Sequence, residues 1–99
     1  MFSDELKART KRFALKVIDL TAPLSWPSRA AVLATQLLRS ATAVGANYRA
    51  ACKAKSGADF AYKIKLVEEE ADESAYWLEV LTESRLCASP EAAALLRMS

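Results

Sequence analysis

The run Glu68-Glu69-Glu70, followed by Asp72 and Glu73, is the densest set of side chains here that could ligate a metal or carry a proton. On a helix, Glu69 and Glu73 share a face, and so do Glu70 and Glu73. Carboxylate metal sites in helical bundles draw ligands from several helices and include histidine. The chain has no histidine, and the other helices offer no acids at inward positions. The acidic face therefore reads as solvated or salt-bridged, with no metal and no cofactor. The same absence removes Ser-His-Asp and Cys-His nucleophile pairs and His-ligated zinc. Cys52 beside Lys53 is the one remaining candidate for a reactive group. Cys52 and Cys87 lie far apart in no metal or redox spacing, so both read as reduced cytosolic thiols packed in the core. No catalytic residue is assigned, no small-molecule substrate is expected, and the chain reads as a non-enzyme.

Charge is distributed unevenly. The net charge is only +2, yet no Asp or Glu occurs between Asp19 and Asp59. Arg29, Arg39, Arg49, Lys53 and Lys55 lie in that gap. Arg39, Thr42, Ala46, Arg49 and Lys53 recur at helical spacing beside Ala43 and Ala50, which makes one face of small residues and cations. Two readings stay open for it. The stripe pairs with the acidic helix that follows, within the chain or across a subunit boundary, or it meets nucleic-acid phosphate. The candidates for a nucleic-acid or partner contact are Arg39, Arg49, Lys53 and Lys55. Aromatics are not interleaved with the stripe, which disfavours stacking on a single strand.

These residues must be positioned by helices. Ninety-nine residues make one domain, 1–99, and only two Gly and three Pro point to long elements and few turns. The spacing predicts helices over about 4–21, 28–54, 57–84 and 90–98. Ser3 is read as the cap of the first helix, and Leu6, Thr10, Phe13, Val17 and Leu20 as its core seam. Trp26 in the first connection is expected over the end of the core. Leu33, Leu37, Ala41, Val44, Tyr48 and Ala51 form the second seam. Gly45 in mid-helix is about 1 kcal/mol worse than Ala, and the offsetting gain is a close helix crossing. Asn47 beside it is read as a buried hydrogen-bonding residue that sets the crossing. Ser56 with Asp59 is a capping-box variant. Phe60, Ile64, Val67, Ala71, Ser74, Leu78 and Leu81 follow as the third seam. The fourth helix starts well at Ser89-Pro90-Glu91 but is short, which leaves part of the core without local cover.

Ala43, Ala46, Glu69, Glu73, Tyr76 and Trp77 are the candidate subunit-interface residues, because the two aromatics fall off the third seam and at least one should be exposed in a monomer. The first ten residues carry charge from Asp4 onward with no apolar core of a signal peptide. No apolar run approaches the ~20 residues that span a bilayer. A cytoplasmic protein with no membrane partner is expected.

The run Leu37-Leu38-Arg39-Ser40-Ala41-Thr42-Ala43-Val44-Gly45-Ala46-Asn47, then Asp59-Phe60 and the Glu-rich third helix ending in Trp77-Leu78-Glu79, resembles the 23S rRNA intervening-sequence proteins. The resemblance covers about Leu6 to Leu96 and rests on an R-S-x-T-S-[IV]-G-A-N-like stretch, matched here by Arg39, Ser40, Gly45 and Asn47. Ala43 stands where Ser is usual, and Tyr48-Arg49-Ala50-Ala51 departs from the family's common continuation. The resemblance implies an all-α, antiparallel up-down-up-down four-helix bundle, assembled as a homopentamer. It implies no defined catalytic residue. A related group, the accessory proteins of diversity-generating retroelements, binds a reverse transcriptase and nucleic acid, so RNA or a reverse transcriptase is the partner implied. A protein–protein module with no nucleic-acid contact is the alternative.

Overall fold

Phe2–Thr21 forms α1, Arg29–Cys52 forms α2 and Gly57–Glu83 forms α3 in a computed structural model of the chain. The structure describes residues 2–24, 27–86 and 94–95. Three helices and no strand occur among them, which gives an all-α fold. Ala94 and Leu95 are also helical, and Leu95 is buried in the core. The rest of the expected helix at 90–98, together with Trp26 and Cys87, lies outside the described residues.

Helix starts follow local chemistry. Ser28 is extended and its Oγ accepts from the Ala31 N–H at 3.0 Å, which caps α2. Ser56 does the same for α3 through the Asp59 N–H. Asp59 reaches back to the Lys55 N–H at 3.1 Å, completing a box displaced by one residue from the usual form. Ser3 does not cap α1, because that helix begins at Phe2 and takes Ser3 into its first turn. At the far end of α3, Arg85 has φ 63°. This left-handed residue follows the Ser84 C-cap and stops the helix where glycine is the common choice.

α2 is the central element. It packs on α1 along one side and on α3 along the other, while the backbones of α1 and α3 stay more than 8 Å apart and meet only through side chains of the core. All three seams point inward, with Phe13, Val17, Leu37, Ala41, Leu78, Leu81 and Leu95 as the buried cluster. Gly45 is a point of close approach between α2 and α1. A Cβ there would lie 3.3 Å from Thr10 Oγ1, which is itself held by the Leu6 and Lys7 carbonyls. Between α2 and α3, the buried Ser74 hydroxyl donates to Ser40 Oγ at 2.9 Å. Asn47 is half-buried and makes no side-chain hydrogen bond among the described residues, so the crossing is set by Gly45 and this serine pair instead.

The core is deepest at one end. Ser74, Leu78 and Leu81 are buried, but Ile64, Val67 and Ala71 are only half-buried and Phe60 is 45% exposed. The third seam is therefore incomplete at its start. A groove of about 610 Å³ opens there, lined by Leu6 of α1, Tyr48 and Cys52 of α2, and Phe60 and Ile64 of α3. Cys52 sits at its rim and is exposed, contrary to the expectation of a core thiol. The reason is register: Ala51, its neighbour, takes the seam position and is 1% exposed.

Candidate functional site

Thr42, Ala46, Arg49 and Lys53 lie on the outer face of α2, as their spacing requires, and all are exposed. Arg39 at the head of the same face differs. Its guanidinium donates to both Glu70, at 3.4 Å, and Glu73 of α3. The hydrogen bond from Arg39 holds the Glu73 carboxyl below its ordinary range, while burial pushes the neighbouring Glu70 up. Arg39 itself is raised, first by its hydrogen bond to Glu73. One acid of the pair is thus committed to the ion pair, and the other resists ionisation beside it. The arrangement is a clamp between α2 and α3, half-exposed at its cation. No group of side chains suited to a metal occurs among the described residues.

Arg49, Lys53 and Lys55 have no ion-pair partner among the described residues. Arg49 and Lys53 close the last turn of α2, where its unsatisfied carbonyls favour positive charge. Lys55 follows in the turn, held through its backbone N–H by Asp59. The acid nearest in sequence, Asp59, is occupied by Lys63, 3.0 Å away. Its carboxyl is held below the usual aspartate range, first by Lys63 and then by the Lys55 amide. The free cations therefore cluster at the α2–α3 turn.

Tyr48, one turn before Cys52, is buried and lines the groove beside it. Burial raises the phenol above its ordinary value, with Cys52 adding to the effect.

The interface candidates divide. Ala46, Glu69 and Tyr76 are exposed, Tyr76 at 56%. Ala43 and Glu73 are half-buried, the latter in the Arg39 clamp. Trp77 packs against the core and meets the Tyr76 ring edge-on at 5.0 Å. Its Nε1 is buried and closes no hydrogen bond of good geometry among the described residues, and its proximity is the least of the causes that lower the Glu73 carboxyl, after Arg39. Of the motif residues, Ser40 is fully buried and Gly45 faces Thr10. Sequence reasoning missed Thr10 as the reason for Gly45. The signal was there, because Thr10 is the one polar member of the first seam.

The family model described as 23S rRNA-intervening sequence protein matches residues 5–99. A crystal structure of a protein of unknown function from the S23 ribosomal protein family, from Bacteroides thetaiotaomicron, superposes with a TM-score of 0.88. It is 32% identical, and the match covers 98% of this chain and 87% of that one. No curated protein gives a significant match.

Proposed function

This chain belongs to the 23S rRNA-intervening sequence protein family, and from that premise we propose a non-enzymatic accessory protein that assembles with copies of itself and binds RNA phosphate through the basic end of α2. One observation carries the reading. Arg49, Lys53 and Lys55 stand exposed and without a carboxylate partner among the described residues, whereas Arg39 on the same helix is neutralised. An uncompensated cation cluster on a helix is the electrostatic footprint of a polyanion contact. The helical Ala94 and the buried Leu95 support a fourth helix that completes the up-down-up-down bundle.

The test is fluorescence anisotropy of a structured RNA titrated with the whole protein. Replacing Arg49, Lys53 and Lys55 together by Ala should lower affinity by tenfold or more at low salt. Unchanged affinity removes the site.

A second reading, assembly alone, is favoured by the Arg39 clamp, which satisfies part of the charge split within the chain, and by the exposed Tyr76. It expects a homo-oligomer in light scattering that Trp77→Ala weakens, with no RNA affinity at any salt.

A further inference from the structure

We propose that the phosphate-binding surface extends beyond α2 onto α1, with Lys7 and Lys11 joining Arg49 and Lys53 in a four-cation patch across the outer α1–α2 seam, suited to the backbone of duplex RNA. The inference rests on the reading above and enlarges its site.

The placement follows from the crossing. Thr10 meets Gly45, and α1 and α2 run antiparallel through a short connection. The same register appears in the groove, where Ser3 and Leu6 line up with Tyr48 and Cys52. Lys7 and Lys11 flank Thr10 on α1, and Arg49 lies one turn beyond Gly45 on α2. A helix turns 100° per residue. Lys7 and Lys11 therefore lie on the flank of α1 that faces α2 away from the core. Arg49 and Lys53 lie on the matching flank of α2. Exposure agrees: Lys11, Arg49 and Lys53 are exposed and Lys7 is half-exposed. The other cations of α1, Arg9, Arg12 and Lys16, fall on the opposite flank.

None of the four makes an ion pair among the described residues. Of the two exposed acids in the first turn of α1, Asp4 shares this flank and Glu5 falls on the opposite one. Four cations against one acid leave a local excess that the chain's overall charge of +2 conceals. Each pair is separated by about 6 Å along its helix, and the two helix axes are about 8–10 Å apart. With phosphates recurring every ~3.4 Å of axial rise per strand, the patch spans two or more of them. The exposed aromatics among the described residues, Phe60, Tyr62 and Tyr76, all belong to α3, and Phe60, the one that reaches α1, opens into the groove on the core side of the seam and not onto its outer flank. The patch therefore lacks a stacking platform, which favours duplex backbone over splayed bases.

The experiment compares Lys7→Ala/Lys11→Ala, Arg49→Ala/Lys53→Ala and Arg39→Ala with the unmodified protein on one RNA hairpin between about 50 and 200 mM salt. Circular dichroism checks that each variant stays helical. The α1 and α2 pairs should each weaken binding, and each should reduce the log–log salt slope by about 2. Arg39→Ala should change neither. An α1 pair that binds like the unmodified protein while the α2 pair weakens overturns the extension and leaves the α2 site standing. A hairpin that the unmodified protein does not bind at low salt overturns both. A single strand of equal length that binds more tightly than the hairpin overturns the assignment to duplex.

Discussion

Arg39 and Arg49 stand ten residues apart on one exposed face of α2, yet their surroundings differ completely. The first is clamped by Glu70 and Glu73 and serves the α2–α3 contact, and the second faces solvent without a partner among the described residues. The spacing that grouped them on one stripe was right, but spacing is silent about what the neighbouring helix places opposite each position. Ser40 shows the converse. Read as part of a motif, it turns out to be fully buried and to accept from Ser74. Removing the Ser74 donor should cost about 1 kcal/mol, since it leaves a buried hydroxyl oxygen short of a partner. The Ser40→Ala and Ser74→Ala changes should couple by about 0.5–1 kcal/mol in a double-mutant cycle from denaturant melts. Strict additivity would contradict the contact. Asp59 supplies a pH signature. Its folded-state pKa is depressed, so the stability it contributes is present above its unfolded value and is lost as pH falls through the folded one. In the window below roughly pH 4, Asp59→Asn should lose stability less steeply than the unmodified protein. Equal slopes would mean that the capping turn contributes nothing there.

Among the elements, α2 is the organiser, since its backbone alone runs close to both other helices. Its start was legible because Ser28 is a strong cap with a clear partner, as Ser56 is for the start of α3. Its inward seam was legible because Leu37, Ala41, Val44, Tyr48 and Ala51 keep helical period, and all are buried. α3 was legible in kind but not in depth. Its heptads run unbroken from Phe60 to Leu81, while burial falls away toward Phe60. Periodicity records which face is apolar, but not whether something covers it. The gradient predicts unequal costs for the same seam. Leu78→Ala, at 0% exposure, should destabilise by about 3–4 kcal/mol. Phe60→Ala, at the groove, should cost less than half of that, as read from urea midpoints. Equal losses would show that Phe60 is covered in solution.

For the whole molecule, the family, the helical class and the three seams could be read from the chain, because each depends on local pattern. The patch across α1 and α2 could not. Lys7 and Lys11 carry no motif, and they join Arg49 and Lys53 only once the Thr10–Gly45 contact sets the register. Cys52 was misplaced for a related reason: its residue type suggested burial, but its helix position sets it outside. What emerges is a bundle whose acidic helix neutralises one end of the basic face and leaves the other end free. The most direct measurement of that claim is the salt dependence of RNA affinity for the unmodified protein and for the Arg49/Lys53/Lys55 triple Ala variant. The account predicts a steep linear fall of log affinity with log salt, and a slope shallower by about 2–3 in the variant. Identical slopes for the two proteins, or no RNA binding at low salt, would contradict it.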